Sequence, residues 1–538
     1  MTRQQDDVGY PTLGEVVRFL YNSAGVLPGK RDATPDFDAN ARRKLQKTLE
    51  RLASEQGNLQ ENLNEVHRQL GFLVAGHVEC TPIGLAIGEV IADLLDVYGS
   101  VVKEEGTYLP RQQTLRWMVI ERLAPAAAVS IASHIARFDL RAFAQFFPDE
   151  PRWYLPDTQD GKTRGSLAKV MRWIYRQYDL SQTQFHSASG CAPQTPLVGD
   201  LKSDAARTTR EQDLENAQNW ARGHGNPSAA ALAWNFDRAF AARHQSEGDD
   251  DSLATHWGAK YVSGARMALF LARWLTYVTK DLEKQFGRDF LREVSAVFED
   301  TLALALAETR HVEAWIAGQA RVHCLPAQDP ELRDGAVTGW KRDLGMRASS
   351  ACQRLQMHWQ AGSLTDEAIR RLADSYGPLA VMPFATALRR PSDHAIPDDF
   401  AEALVEGLKL AADRGASAAS IDAYEARLCG ADTDELLPWM VPWLRFQVCY
   451  RCADDAGAWR WIALAFMAAR YRAGRNQYEI VNQYIEMAAK MDKRQEFEKG
   501  IHWARYIGLK VRWLRELEPT QENIDGVMDM MRRARYPV

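Results

Sequence analysis

Residues 167–178 read LAKVMRWIYRQY, with Leu167, Val170, Met171 and Ile174 three or four positions apart. That spacing gathers the apolar side chains on one face of an amphipathic helix. A period of about 3.6 recurs in almost every segment of the chain, and Ala, Leu, Arg and Glu are enriched. Alternating β-branched runs are nearly absent; VHCLPA (322–327) and LVGDLK (197–202) come closest, and both are short. The expected fold is all-α: a multi-domain helical bundle or irregular α-solenoid, with an embedded trihelical module around residues 165–242.

At 538 residues the chain is too long for one hydrophobic core, so several domains or a helical array are expected. Sixteen Trp, in stretches such as MHWQAG, PWMVPWLRF, AWRWIALAF and IHWARY, read as helix–helix packing residues. The net charge of −5 gives no global attraction to nucleic acid or anionic membrane, so any such affinity has to come from a local patch. Seven Cys in this length indicate an intracellular chain rather than a disulfide framework. The start, MTRQQDDVGYPTLGEVV, lacks a basic region followed by an apolar run. The most apolar window, Ala124–Ala136, is short for a bilayer and follows Glu121 and Arg122. Together these predict a soluble cytoplasmic protein with no membrane partner.

The N-terminal region carries a heptad-like seam through Leu45, Leu49, Leu52, Gln56, Leu59, Leu63, Val66, Leu70 and Leu73, weakened by Gly57. It predicts a long helix that packs on its own domain or, alternatively, an intermolecular coiled coil. Pro, Gly and Asp cluster in 146–165 and again in 243–257, marking loops. The domains expected from these loops are 1–150 with the heptad helix, the module 165–242, and a helical array over 255–538. No tetratricopeptide signature recurs at that family's fixed period.

In the middle segment, Ser181 can cap a second helix with Phe185 as its apolar contact and Gly190 at its end. A third helix is expected over 208–223, and Pro227-Ser228 opens a fourth, SAAALAWNFDRAF. Leu180, Ser181, Gln182, Phe185, His186 and Gly190, followed by Trp220, Arg222, Gly223, Pro227 and Ser228, resemble the second and third helices of the Cro/repressor-type (XRE) helix-turn-helix family. The resemblance covers about 75 residues, and 191–210 stand where that family has a tight turn. It implies a second helix braced on phosphates and a third entering the major groove. On that reading Arg172, Arg176, Gln182, Lys202, Arg207 and Arg210 touch phosphates of duplex DNA, and Gln184, Asn216 and Asn219 face base edges. Asp213 and Glu215 near the start of the reading helix oppose this, and the net charge of 161–225 is only +3, nine basic residues against six acidic.

Cys449 and Cys452 have zinc-like spacing, with Cys429 upstream, yet no fourth ligand stands nearby. His323-Cys324, His256, His311 and His358 read as packing or surface residues, and Glu104-Glu105 as surface charge. No phosphate-cradling loop, dinucleotide fingerprint, nucleophile elbow or His-Glu-x-x-His helix is present. No catalytic, metal or cofactor site is therefore expected. The expected function is a DNA-binding regulator or adaptor, bacterial and cytoplasmic, whose larger helical regions bind a protein partner or a second copy. The alternative is a non-enzymatic helical scaffold subunit of a bacterial multiprotein assembly that does not bind DNA.

Overall fold

A computed structural model shows an all-α chain. The structure describes residues 9–16, 39–54, 61–66, 68–69, 81–107, 109–141, 147–150, 152–158, 163–187, 215, 218–220, 227, 229–245, 254–389, 398–430, 434–511, 514 and 520–533. Among them no strand forms, and two isolated bridges join Gly106 with Ala473 and Asp157 with Arg164. The helices begin with α1 (Ala39–Ala53), α2 (Thr81–Glu104), α3 (Arg111–Met118) and α4 (Ala124–Arg137). They continue with α5 (Ser166–Gln177), α6 (Gln182–Ser187), α7 (Ala229–Gln245), α8 (Ala254–Phe286) and α9 (Arg288–Val322). Next come α10 (Pro330–Gln360), α11 (Asp366–Tyr376), α12 (Pro378–Arg389), α13 (Asp398–Ala412) and α14 (Ala418–Gly430). The last are α15 (Met440–Arg451), α16 (Asp455–Ala469), α17 (Gln477–Lys490), α18 (Arg494–Tyr506) and α19 (Gln521–Arg533).

The chain forms two compact units, each assembled from separated stretches. One comprises Met1–Thr12, Leu95–Met118 and Arg390–Val538; the other comprises Leu13–Leu94 and Val119–Arg389. Their limits differ from the 1–150, 165–242 and 255–538 division read from the loops. Two of the changes fall inside continuous helix, at Leu94–Leu95 and Met118–Val119, where no Pro- or Gly-rich punctuation marks them.

The larger unit is built around α4 and α9. Ala124, Ala128, Ala132 and Ala136 are buried at every fourth position of α4, and Ala128 and Ala132 pack with Leu302 and Ala305 of α9. Trp340 and Leu344 of α10 and Leu379 and Ala380 of α12 complete that core. A second cluster joins Ala351 and Leu355 of α10, Ile369 of α11, and Val381 and Ala385 of α12. Gly287 is the single residue between α8 and α9, and its φ of +85° explains why a glycine occupies so sharp a joint. Asp329 and Thr365 accept the Leu332 and Ala368 amides at the starts of α10 and α11, at 2.9 and 3.2 Å.

The apolar window at Ala124–Ala136 belongs to a longer element than expected: residues 111–137 are continuous helix, with a π turn at Val119–Leu123. Pro125 has no N–H for the Glu121 carbonyl, and the wider turn just before it absorbs the mismatch. By length and composition this helix is apolar enough to cross a bilayer. Core packing accounts for that character, since Ala128, Ala132 and Ala136 are fully buried.

The heptad seam folds back on itself. Leu45, Leu49 and Leu52 are buried in α1, and Val66 is buried in the helical residues 61–66. Lys44 and Glu65 form an ion pair at 2.9 Å. One unbroken helix would hold them about 31 Å apart, so the chain reverses between them. Gln56, Leu59, Leu70 and Leu73 of the seam lie outside the described residues.

In the smaller unit, α15–α16 and α17–α18 are two helical hairpins with the same turn. Ala453 and Asp492 take left-handed φ of +56° and +53°, and the Asp454 and Lys493 amides return to the Cys449 and Ala488 carbonyls at 2.9 and 2.8 Å. Ala458, Ile462 and Ala465 of α16 and Phe497, Ile501 and Ala504 of α18, their counterparts 39 residues on, are all fully buried. Glu104 pairs with Arg475 at 2.7 Å, and Gln477 donates to the Val102 carbonyl at 2.8 Å. Gly474, at φ +49°, lies so close to the Gly106 amide that a Cβ would stand 2.5 Å from its nitrogen.

Burial acts to raise the Glu65 carboxyl, but hydrogen bonds from Arg68, Gln69 and Lys44 outweigh it and hold the pKa at about 2. Its stabilisation of the folded-back N-terminal pair is therefore complete above the ordinary carboxylate range and is lost as pH falls toward about 2. Glu65→Gln should reduce stability near neutral pH and flatten its decline between pH ~5 and ~2, followed by urea unfolding across pH.

Candidate interface of the central helix pair

The α5–turn–α6 segment is held from several sides. The Leu167 amide donates to the Thr276 hydroxyl at 2.9 Å, and the Ser166 hydroxyl donates to the Tyr154 carbonyl at 2.8 Å. The buried Lys169 ammonium donates to the Arg152 carbonyl at 3.1 Å; burial pushes its pKa down, against Glu150 and Asp157. Helix α5 ends at Gln177; just beyond it Asp179 takes a left-handed φ of +48°, and the Leu180 amide returns to the Tyr175 carbonyl at 3.0 Å. Ser181 then caps α6, as its sequence position suggested. Its hydroxyl accepts the Gln184 amide at 3.1 Å, and its own amide donates to Gln184 Oε1 at 2.7 Å, a reciprocal capping box.

Leu180 and Phe185 enter the core beneath this turn. The Phe185 ring stands edge-on to Tyr175 at 5.7 Å, and Tyr178 stands edge-on to Phe236 at 5.2 Å. Of the third helix expected over 208–223, only Glu215 and residues 218–220 are described. Ala265, Ala268, Leu269 and Ala272 of α8 share the cluster with Leu167, Val170, Met171, Trp173 and Ile174 of α5 and with Leu232, Phe236 and Ala239 of α7. The core beneath α5 therefore extends past the expected limit at 242, because the apolar face of that helix packs on α8 as well as α7.

Among the sequence-predicted contact residues, Arg172 and Arg176 are exposed on α5, Gln182 is half-buried and Gln184 is exposed on α6. Arg172 Nε donates to the Ala168 carbonyl of its own helix at 3.4 Å, and Arg176 pairs with Asp149 at 2.9 Å. The side-chain oxygen of Gln184, expected to face a base edge, is turned back to the α6 amino end. Asn219 is half-buried in a short helical stretch with Trp220, which packs on the same core. Lys202, Arg207, Arg210 and Asn216 lie outside the described residues, as do Gly190 and Gly223.

A polar cluster that the sequence did not flag joins α2, α4 and α10. The His134 ring is buried between Glu89 and Asp93, at 3.3 and 3.6 Å, and Ser130 donates to Asp93 at 2.6 Å. Arg137 pairs with Glu89 and with Asp334, and Lys341 pairs with Asp93. Burial acts to raise Asp93, yet the His134 ring, the Ser130 hydroxyl and Lys341 together hold it well below the usual carboxylate range. Because Ser130 donates to Asp93 rather than to His134, the three do not form a nucleophile relay. Among the described residues no group of three or more His, Cys, Asp or Glu is placed to hold a metal. Sequence spacing could have suggested this cluster, since Glu89 and Asp93, like Ser130 and His134, are four residues apart on their helices.

No protein-family profile, curated protein or solved structure matches the chain. The likeness to the Cro/repressor type therefore rests on the quoted residues alone.

The neighbours Ser181 and Phe185 should separate cap from core. Ser181→Ala is expected to cost about 1 kcal/mol, and Phe185→Ala about 3–5 kcal/mol, in urea unfolding monitored by tryptophan fluorescence.

Proposed function

We propose that this protein is a helical scaffold that receives an α-helix of a partner protein on the outer face of α10. One observation carries the reading. Val337, Trp340, Leu344, Ala351 and Leu355 form the buried stripe of this 31-residue helix. The opposite stripe, Gly335, Gly339, Arg342, Met346, Gln353 and Met357, is exposed, and Arg342 is its sole charge. A solvated helix face normally carries many charged residues. Gly335, Gly339 and the adjacent Gly345 have open space where a Cβ would stand, so no contact among the described residues requires a glycine. Each costs about 1 kcal/mol relative to Ala in a helix interior. Close approach of a partner backbone would use that space, with Met346 and Met357 as adaptable apolar contacts.

The reading separates stability from binding. Gly339→Ala should stabilise the isolated protein by about 1 kcal/mol and weaken capture of the partner that co-purifies from the native host. Met346→Lys should abolish capture while leaving the far-UV circular dichroism unchanged. Undiminished capture by both variants would reject α10 as the dock.

Duplex binding through the central pair is a second reading, favoured by one specific observation: the four-residue joint at 178–181 with its Ser181–Gln184 cap. It leaves Arg172 and Arg176 outward on a rigid support. Replacing both by Ala should lower the slope of log affinity against log salt by about 2. Absence of duplex binding at low salt would rule this reading out.

A further inference from the structure

Cys449 and Cys452 carry no role in either reading, yet the fold gives them a shared setting. Both lie on the last turn of α15, Cys449 within the helix and Cys452 at its C-cap. Residues three apart in an α-helix share a face, with Cα atoms about 5 Å apart, inside the roughly 4.4–6.8 Å range that a disulfide spans. Both thiols are free. Cys452 is exposed; Cys449 is half-buried against the start of α16, where a Cβ on Gly457 would stand 3.0 Å from its sulfur. Burial pushes the Cys449 thiol up, and the neighbouring Asp454 carboxylate and Cys452 sulfur push it further. The pair is therefore unequal, with one accessible thiol and one that is sheltered and reluctant to ionise. Zinc, the other chemistry this spacing suggests, needs four ligands, and no such group gathers among the described residues.

We propose that Cys449 and Cys452 are a reversible oxidation site that closes to a disulfide in the presence of a low-molecular-weight disulfide such as oxidised glutathione. Cys452, as thiolate, attacks one sulfur of the small disulfide; that S–S bond breaks, one small thiol leaves, and Cys452 carries a mixed disulfide. Cys449 then gives its proton to solvent, and its sulfur attacks the Cys452 sulfur and expels the second small thiol. Two protein thiols lose two electrons, and the small disulfide gains them as two thiols. The position of the pair makes closure possible and the product labile. Cβ atoms three apart on a helix stand about 5–6 Å apart, wider than the roughly 3.5–4.5 Å of a relaxed disulfide. The last turn therefore has to tighten, which is feasible where Cys452 is the cap and Ala453, at φ +56°, has already left the helix. A strained, exposed disulfide is the kind that thiols reduce readily.

The sequence supplies the assay. Trypsin cuts after Arg445, Arg451 and Arg460, giving FQVCYR (446–451) and CADDAGAWR (452–460). The full-length protein is treated with excess oxidised glutathione at mildly alkaline pH, where the thiolate fraction is larger, then alkylated, digested and analysed by mass spectrometry. The expected product is the two peptides joined, or 446–460 uncut, in either case lighter by two hydrogens. Dithiothreitol should return two separately alkylated peptides. In Cys449→Ser, Cys452 should stop at the glutathione mixed disulfide, and in Cys452→Ser the crosslink should vanish, with circular dichroism confirming that both variants are folded. Separate peptides with both cysteines alkylated, both glutathionylated, or joined to other cysteines would overturn the proposal.

Discussion

The larger unit depends on how closely α4 and α9 approach. An alanine at every fourth position of α4 makes a shallow ridge, and Ala128, Ala132 and Ala136 are completely buried. Ridges at four-residue spacing fit the grooves of a neighbouring helix, and with only methyl groups between them the axes come close. The tight seam fixes the rest in turn. Arg333, itself buried, donates to the Ala136 carbonyl at the end of α4 and so locates the start of α10. Trp340 and Arg347 then reach Glu308 of α9 at 3.0 and 2.9 Å, setting the rotation of α10 about its own axis. That rotation is what leaves Gly335, Gly339, Met346 and Met357 facing outward.

What the sequence made legible was local. The period of Leu167, Val170, Met171 and Ile174, the cap at Ser181 and the insertion of Phe185 are each decided within a few residues, and the structure reproduces them. Pairing was not legible, because it is decided by residues far apart. The leucine seam states that a stripe must be buried, not what buries it; the Lys44–Glu65 pair shows only that its two described segments lie side by side. The α15–α18 hairpins stayed hidden because the repeat conserves burial rather than side-chain identity, with Ala458 standing where Phe497 stands. The unit limits inside helical segments were invisible for a similar reason, since a helix that passes between cores keeps one uninterrupted period.

At the candidate site the ambiguity was chemical. Ser-x-x-Gln serves equally as a capping box and as the start of a helix that faces phosphates, and in the folded chain Gln184 turns back to accept the Ser181 amide. The polar cluster around His134 follows the same logic. Glu89 and Asp334 are compensated by Arg137 and Asp93 by Lys341, and the Ser130 hydroxyl donates to Asp93. Such a cluster ties α2, α4 and α10 together.

The two outward surfaces of the larger unit differ in what the isolated chain gains from them. The cations of α5 are already engaged, Arg176 with Asp149 and Arg172 with its own helix, so their presence is accounted for without a ligand. The glycines of α10 have no such account. They weaken a long helix and meet nothing among the described residues, and Gly335 and Gly339 sit opposite its best-packed stripe. A residue that costs stability and is needed by no contact among the described residues fits the proposed encounter with a partner. For that reason the face of α10 on which Arg342 is the sole charge, rather than the more familiar-looking helix pair, is the surface proposed to meet a partner.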